Sequence, residues 1–351
     1  MAGMMKHGAL RLTAFSALFL MAAAQAQGQS QGADPALIEA ARREGSVTWY
    51  TTLIISQFVR PASAAFEKKY GVKVNAIRMN TEDVILRVSN EAKAGRVQAD
   101  VFDGTSTVGP LKKLGIVAKY TPPAAMRLPK QFIDKEGFWA ATNYYVYTPA
   151  LNTELWPESK APKTFNDLLD PMYKGKFGWS SLSSTSSAPG FVGTVLTHMG
   201  EEKGMDFLRK LVKQDIIPIK LSARSVVDKM ISGEFAIALQ TFNHHSTISA
   251  AKGAPSKWFP LDLAMVNVSV EGVSKDAPHP NAARLLVNFL VTPEGQQLFK
   301  AAGYMPVDPD ILPDEPRLQP ERGGFKAFLL TPEEVDERLP GWQKIAVDLF
   351  R

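Results

Sequence analysis

The chain has 351 residues, of which 45% are hydrophobic and 21% are charged; this is ordinary globular usage and excludes a disordered or fibrous chain. Lys and Arg total 40 against 35 Asp and Glu, which gives a net charge of +5. The basic residues are scattered along the chain and form no dense run of the kind that indicates nucleic-acid binding. Because the chain has no cysteine, disulfides, thiolate catalysis and cysteine-ligated metal sites are excluded together.

The first 26 residues have the pattern of a secretory signal peptide. Lys6 and Arg11 precede an apolar run at 13–24 that is too short to cross a bilayer as a helix. The sequence Ala24-Gln25-Ala26 then places small residues at the two positions that a signal peptidase reads. We therefore expect cleavage after Ala26 and an exported chain without a membrane anchor.

Strands and helices alternate in the first part of the mature chain, and most end at a glycine or a polar turn. Asp34 and Pro35 open the first helix as N-cap and first helical residue. Pro61 lies inside a later helical pattern, so that helix starts later or has bent first turns. The alternation predicts a parallel α/β sheet. The predicted helices are 34–45, 56–70 and 81–94, and the predicted strands are 47–50, 72–78 and 100–102.

A longer β-type run at 138–147 carries the chain into a second α/β alternation. No flexible linker separates the two parts, so we predict two lobes joined by several short crossovers that form a hinge, with a mostly parallel sheet in each lobe. We assign 34–139 and 264–302 to lobe 1, and 140–263 and 303–351 to lobe 2. The further predicted strands are 177–179, 216–219, 235–240 and 267–273, and the further helices are 189–199, 202–214, 222–232, 281–290, 293–302 and 331–350.

The standard motifs for serine nucleophiles, zinc proteases and nucleotide-binding loops are absent from the chain. The one adjacent histidine pair is His244 and His245, and helical neighbours point about 100° apart, so they rarely bind one metal. Three interpretations of this pair remain open: surface histidines, a polar contact in a ligand cleft, or a metal site. We assign no catalytic residue, no metal ligand and no cofactor.

Seven hydroxyl side chains between Ser180 and Ser187 precede a predicted helix. Hydroxyls at a helix N-terminus, where backbone N–H groups are unpaired and the dipole is positive, bind anions without a lysine. One serine is enough for a cap, so capping and ligand contact both remain open. Ser222 and Arg224 repeat the pattern at another helix start, where the arginine reaches solvent or clamps a carboxylate or phosphate.

Ligands of open α/β sheets bind beyond the carboxyl ends of the strands. The loops that follow the predicted strands hold hydroxyls and amides, with no pair of carboxylates and no evident base, which favours recognition without a reaction. The candidate ligand-binding residues are Thr52, Arg78, Thr105, Ser106, Tyr145, Ser186, Ser187, Ser222, Arg224, Asn243 and His244.

Several passages along the mature chain are similar to one known family. They are FEKKYGVKV at 66–74, EAKAG at 91–95 with ADV at 99–101, TFNDLLDPMYKGK at 164–176, SGEFAIA at 232–238, and APHPNAAR at 277–284 with PEGQ at 293–296. The chain resembles the periplasmic solute-binding proteins of ABC importers, in the ferric-binding-protein-like group with the two-lobed type II fold. The resemblance implies a periplasmic monomer that closes on a small solute and delivers it to a permease in the inner membrane, with no nucleic-acid partner.

Ferric-binding members hold iron with an adjacent tyrosine pair, an early histidine and a carboxylate. Here Asn243-His244-His245 stands where the tyrosine pair is expected, and Tyr50-Thr51-Thr52 stands where the histidine would be. Neutral imidazoles suit Fe(III) less well than phenolate oxygens do. Relatives without the iron ligands bind small organic solutes, and the hydroxyl residues Thr185-Ser186-Ser187 resemble an anion-contacting loop, so the resemblance favours an anionic solute.

Three other functions remain open at this point. One is transport of Fe(III) by non-standard ligands, and another is sensing of a ligand in the periplasm. A third is hydrolysis by the serine-rich loop with His244 as the base, for which no third, orienting group is evident.

Overall fold

The computed structural model describes residues 32–350, so the signal-peptide prediction and its cleavage site lie outside the described residues. Within this range, no helix combines the length and the apolar character needed to cross a membrane. The alternation of strands and helices that the sequence predicts is present from residue 35 onward.

The N-terminal part, residues 32–139, begins with an α/β alternation close to the predicted one. Asp34 caps the first helix by accepting from the Ala36 N–H, and Gly45 ends it in a left-handed conformation, φ 77°. Pro61 lies in the first turn of its helix, where a missing N–H costs nothing, and a π-type turn at Ile55–Val59 precedes it. The elements are α1 (Pro35–Glu44), β1 (Ser46–Thr51), α2 (Arg60–Tyr70), β2 (Lys73–Arg78), α3 (Thr81–Lys93), β3 (Val101–Gly104) and α4 (Val108–Lys113).

The rest of the chain contains the longest strand and the longest helix of the described residues. The elements up to residue 263 are β4 (Ala140–Asn152), β5 (Phe177–Ser180), α5 (Ala188–Met199), α6 (Glu201–Leu211), β6 (Ile217–Ile219), α7 (Ala223–Ile231), β7 (Ile237–Phe242), α8 (Asn243–Ala250) and β8 (Ser256–Trp258). They are followed by β9 (Ala264–Val273), α9 (Pro280–Leu290), α10 (Pro293–Ala301), β10 (Met305–Pro306), α11 (Pro320–Gly323), β11 (Ala327–Leu330) and α12 (Pro332–Leu349). We call residues 153–263 the central part.

All described strands join one hydrogen-bonded sheet, with the order β2-β1-β3-β9-β4-β7-β5-β6; β8 and β10 also pair with β4, and β11 pairs with β9. The expectation of a separate sheet in each half is therefore wrong. The reason is the length of β4, which pairs with β9 over residues 140–147 and with β7 over residues 147–151. The lobe boundaries themselves remain a prediction.

The central strands β4 and β9 are buried along their whole length, 13 and 10 residues respectively. They are antiparallel to each other, whereas β1, β2 and β3 form one parallel group and β5, β6 and β7 form another. Apolar clusters cover both faces: Trp49 lies in one and its neighbour Tyr50 in the other, because successive strand residues face opposite sides. The antiparallel pair is thus a buried spine between two parallel groups.

A buried amide connects this spine to the C-terminal region. Gln296 in α10 is fully buried; its Nε2 donates to the carbonyls of Thr142 and Leu290, and its Oε1 accepts from the N–H groups of Val307 and Asp308. One side chain therefore satisfies four backbone groups from β4, α9 and the segment after β10.

We predict that Gln296→Leu lowers the free energy of unfolding by about 3–4 kcal/mol, because it leaves four buried backbone groups without partners. Urea denaturation measures the change. The control is Gln297→Leu at the neighbouring exposed position, which should change stability by less than about 0.5 kcal/mol. Equal losses in the two variants would contradict the prediction.

Candidate functional site

The strand directions place two sets of carboxyl ends opposite each other. β3 pairs with β9 so that its last residue, Gly104, lies opposite Val270, which itself pairs with Ala141 of β4. β7 runs the other way and ends with Phe242 opposite Tyr147. The ends of the two parallel groups therefore face each other across the middle of β4, where ligand sites of α/β sheets form.

On the N-terminal side of this site, Thr52 follows β1 and binds the carboxylate of Asp103. Its backbone N–H and its hydroxyl both donate to Asp103 Oδ1, at 2.8 and 2.6 Å. Thr105 and Ser106 follow β3 and are half-buried, and a hydrogen bond from Thr105 lowers the pKa of Tyr147, which burial raises overall. The structure thus brings Thr52 and Thr105 to the predicted edge.

On the opposite side, the hydroxyl residues before α5 bond mainly to one another. The Ser184 hydroxyl lies 3.0 Å from those of Ser186 and Ser187, and the Ser187 hydroxyl donates to Ser180 Oγ at 2.8 Å. Ser187 is the N-cap residue of α5, yet its side chain caps no N–H group of the helix. The simple capping interpretation of the loop is therefore wrong for this residue.

Thr185 is the loop residue that contacts the spine, and sequence reasoning did not single it out as a candidate by itself. Its hydroxyl accepts from Asn267 Nδ2 at 2.8 Å and lies 3.4 Å from the Tyr147 hydroxyl. The Thr185 carbonyl accepts from Gln240 Nε2, and a Cβ on Gly190 would lie 1.7 Å from that carbonyl oxygen. Only glycine at position 190 lets the loop pack this closely.

Three rings meet at the centre of the site: Tyr145 from β4, His244 from α8 and Tyr304 just before β10. Their centroids are 5.3–6.1 Å apart, and the Tyr145 and His244 rings are stacked at 26°. Sequence reasoning missed Tyr304, which lies in a short loop without a recognisable pattern. The shared location of Tyr145 and His244 agrees with their selection as candidates.

His244 and His245 are both buried, at 0% and 6% exposure, so the interpretation as surface histidines is wrong. Burial, and then the charge of Arg224, lower the pKa of His244 to about 3, so its ring is neutral in ordinary buffers. Both ring nitrogens lack a hydrogen-bond partner among the described residues. Among the residues that the structure describes, no group of three or more His, Asp or Glu residues is arranged to hold a metal ion.

Two further candidates, Ser222 and Arg224, lie at the start of α7. Ser222 is exposed and caps α7 by accepting from the Ser225 N–H. Arg224 forms an ion pair with Asp228 at 2.7 Å and donates to the His245 carbonyl at 3.3 Å, so part of its charge is already compensated.

Asn243 and Arg78 lie at the two margins of the centre. Asn243 Nδ2 donates to the Leu318 carbonyl, which joins α8 to the C-terminal region. Arg78 is exposed at the end of β2, and its charge lowers the pKa of Tyr304, while burial raises that pKa overall, to about 12.

Two buried carboxylates form a pair near the site, and the charge of one of them, Asp103, acts on Tyr145 and Tyr304. Neither carboxylate was predicted as a site residue from the sequence. Asp103 of β3 and Glu271 of β9 are cross-strand partners with 0% and 1% exposure. Burial raises the pKa of both carboxyl groups, and the charge of Asp103 raises that of Glu271 further. Glu271 was recognisable as an acidic residue within an apolar strand, 264–273, where a buried charge is unusual.

A cavity of about 210 Å³ remains at the edge of the site between the two sides. Thr81 and Ser106 bound it from the N-terminal part, and Ser183 bounds it from the central part. The C-terminal helix α12 supplies Leu339 and Gln343 to the same cavity. The helix contributions were not expected, because the sequence predicts the helix but not its position.

Glu271→Gln tests the buried carboxylate pair by pH dependence. The folded-state pKa of Glu271 lies above the unfolded value, so the folded state holds a proton that the unfolded state releases, and stability falls as pH rises above the unfolded pKa. The variant mimics the protonated acid. We expect it to match the wild type near pH 4 and to be about 1–3 kcal/mol more stable at pH 8, measured by urea denaturation.

The control for this experiment is Glu337→Gln at an exposed position of α12. Its stability relative to the wild type should be the same at both pH values. A Glu271→Gln variant that loses stability at pH 8 would show that the ionised carboxylate is required instead.

Comparisons with known proteins identify the family of the chain and its fold. A family model described as "Bacterial extracellular solute-binding protein" matches residues 62–320. A "Probable ABC transporter periplasmic-binding protein" of Sinorhizobium fredii is 30% identical over 159 residues, which are 42% of this chain and 43% of the relative.

Two solved structures have the same fold. Iron-bound HitA from Pseudomonas aeruginosa superposes with a TM-score of 0.71 at 23% identity, covering 86% of this chain and 99% of HitA. The periplasmic binding protein AfuA from Actinobacillus pleuropneumoniae, with fructose-6-phosphate bound, superposes with a TM-score of 0.68 at 21% identity, covering 87% of this chain and 98% of AfuA.

This likeness confirms the predicted two-lobed type II fold of periplasmic binding proteins. The match to the family model extends over well more than half of the 351 residues. The chain therefore belongs to the bacterial extracellular solute-binding protein family.

Proposed function

We propose that the protein is the periplasmic solute-binding component of an ABC transporter, which closes its two lobes on a small, polar, anionic solute and delivers it to a permease in the inner membrane. Family membership supports solute binding. The name of the Sinorhizobium relative supports the transporter and the location. We further propose that the protein acts as a monomer. We also propose that its mature N-terminus is Gln27, and mass spectrometry of the periplasmic protein tests this N-terminus.

The observation that carries the proposal is a set of buried, unpartnered polar atoms where the two groups of strand ends face each other. Asn143 Nδ2, Asn267 Oδ1 and both ring nitrogens of His244 are buried without a hydrogen-bond partner. Buried polar groups are nearly always paired, and each unpaired one costs about 1–3 kcal/mol. A polar solute between the lobes would satisfy these groups, so closure on it recovers that cost.

The charges around the site support an anion. The hydroxyl loop lies at the positive end of α5. The charge of Arg224 acts on His244 and the charge of Arg78 acts on Tyr304. Asp103 and Glu271 would repel an anion if both were ionised, but burial raises the pKa of both groups and reduces their charge. AfuA, which binds fructose-6-phosphate, shows that this fold holds a phosphorylated solute.

Substitutions in the site test this assignment, once a thermal-shift screen of phosphates, phosphonates, carboxylates and amines has identified the solute. We predict that Arg224→Ala weakens binding by about 10- to 100-fold, because a charge-assisted hydrogen bond contributes about 1.5–3 kcal/mol. His244→Ala should weaken it by about fivefold, since a neutral hydrogen bond contributes about 1 kcal/mol. Isothermal titration calorimetry measures both effects.

Arg209→Ala is the matched control, because Arg209 forms an exposed ion pair with Asp206 on α6, as Arg224 does with Asp228 on α7. The control should bind the solute as the wild type does. If Arg224→Ala also binds like the wild type, the arginine takes no part in recognition. If the screen finds amines and no anions, the anionic assignment is wrong although solute binding stands.

Transport of Fe(III) is a second candidate that one observation favours. The Tyr145 and Tyr304 rings lie 6.1 Å apart. Burial raises the pKa of both phenols and the charge of Asp103 raises it further, so two phenols and a carboxylate act on one another. HitA is an iron-bound protein of the same fold. Against iron, the raised pKa values oppose formation of the phenolates that Fe(III) prefers.

Ferric citrate added to the protein tests the iron candidate. Binding by the phenols would give a visible charge-transfer band that a chelator removes and that Tyr145→Phe abolishes. If the solute from the screen binds only with Fe(III) present, the metal-free proposal is wrong.

The hydrolase alternative has no support in the hydrogen bonds of the described residues. Its base, His244, has no partner on either ring nitrogen, while the serine hydroxyls bond to one another. A nucleophile and its base need a hydrogen bond of about 2.6–3.2 Å between them.

A ligand sensor would use the same site as a transport protein. Stimulation of a reconstituted permease's ATPase by the loaded protein distinguishes transport from sensing.

A further inference from the structure

The C-terminal helix α12 contacts both the N-terminal part and the central part of the chain. Its first turns lie on α4 and on the residue before β4. The Trp139 indole Nε1 donates to Glu333 at 2.9 Å, Lys112 Nζ lies 3.7 Å from Glu333, and Asp336 forms an ion pair with Lys113. Gly109 of α4 also packs closely on this end, against the Asp336 side chain and the Pro332 carbonyl. This end of the helix is therefore attached to the N-terminal part by ion pairs and close packing, but by no aromatic side chain of α12.

The other end of α12 packs on the central part with aromatic side chains. The Trp342 ring lies against Gly193 of α5 so closely that a Cβ there would be 2.5 Å from the ring. Phe350, directly after the helix, meets Trp179 of β5 edge-to-face, with centroids 4.7 Å apart. Trp342 is 7% exposed, so this end is held by buried apolar surface.

The two attachments differ in strength, and a proline lies between them. Exposed ion pairs contribute little and are screened by salt, whereas burial of a tryptophan contributes much more. The side chains of Lys113 and Asp336 are 70% and 19% exposed, which places their ion pair at the surface. Pro340 removes one backbone hydrogen bond within the helix, so the two ends can change their relative angle there.

The position of the helix relates these contacts to the solute site. Leu339 and Gln343 line the 210 Å³ cavity together with Ser106 from the N-terminal part and Ser183 from the central part, and Gln343 Nε2 donates to the Ser183 carbonyl at 2.6 Å. Any motion that separates the two sides of this cavity must break one of the two attachments of α12. The attachment to the N-terminal part is the weaker one, because it includes exposed ion pairs and lacks the aromatic contacts of the other end.

We propose that α12 is a strap that stays on the central part and binds the N-terminal part through Glu333 and Asp336 only when the lobes are closed. The strap favours the closed state before any solute is bound, and the affinity for the solute depends on it although neither side chain needs to touch the solute. This inference rests on the lobe closure of the proposed function. It adds a salt-sensitive contact between the strap and the N-terminal part, which the family assignment does not imply.

Single-molecule fluorescence energy transfer in solute-free protein tests the strap. Because the chain has no cysteine, Arg96→Cys and Lys203→Cys, both at exposed positions, introduce one label in each part. In this labelled background, Asp336→Ala should raise the open-to-closed ratio about two- to fivefold, the size expected for one surface ion pair. High salt should raise the ratio in the parent protein and have less effect on the variant.

The matched control is Glu337→Ala, which removes the same charge from an exposed neighbouring position and should leave the ratio unchanged. The exchange Lys113→Asp with Asp336→Lys should restore the parental ratio. The thermal midpoint of each variant separates loss of the strap contact from general destabilisation. A merely structural contact would lower the midpoint without changing the open-to-closed ratio.

The outcomes distinguish the strap from the closure on which it rests. If two populations exist and Asp336→Ala behaves like Glu337→Ala, the strap is wrong and lobe closure stands. If the parent protein shows one population that neither salt nor the identified solute changes, lobe closure is wrong and the strap fails with it.

Discussion

The antiparallel pairing of β4 with β9 is the interaction on which the rest of the structure depends. Both strands are fully buried, and every other group of strands is attached to one of them. β3 pairs with residues 270–273 at the C-terminal end of β9. β7 pairs with residues 147–151 in the C-terminal half of β4 and runs in the direction opposite to β3. Two parallel α/β groups therefore point their carboxyl ends at the same stretch of this pair, and a site forms between them.

The same stretch of the spine is polar, which lowers stability at the candidate site. Asn143, Asn267 and Ser269 lie on buried strands where apolar side chains would pack at no polar cost, and each retains an unpartnered atom. A β-bulge between Ala141 and Asn143 interrupts the β4–β9 register at this point. Bulges commonly re-aim side chains next to functional sites. A local departure from ordinary core packing thus coincides with the site.

The pKa shifts at the candidate site follow from burial more than from ion pairing. Burial is the largest cause of the lowered pKa of His244 and of the raised pKa values of Asp103, Glu271 and Tyr145. Groups of both signs therefore lose charge in the same low-dielectric environment. The proposed recognition therefore relies on hydrogen bonds and on Arg78 and Arg224.

The sequence by itself determined the order and type of most elements, because local signals such as Asp34, Gly45 and the change from period 2 to period 3.6 act over a few residues. It also indicated Thr52 and His244 as candidates, since side chains that follow parallel strands converge at one edge of a sheet. Only the tertiary structure decided that one sheet joins both halves, because strand pairing depends on partners far apart in sequence. The positions of Tyr304 and α12 could not be predicted for the same reason, because long-range packing, which no local pattern encodes, brings them to the candidate site. The sequence did indicate the hydroxyl loop that contains Thr185, but not the contact of Thr185 with Asn267.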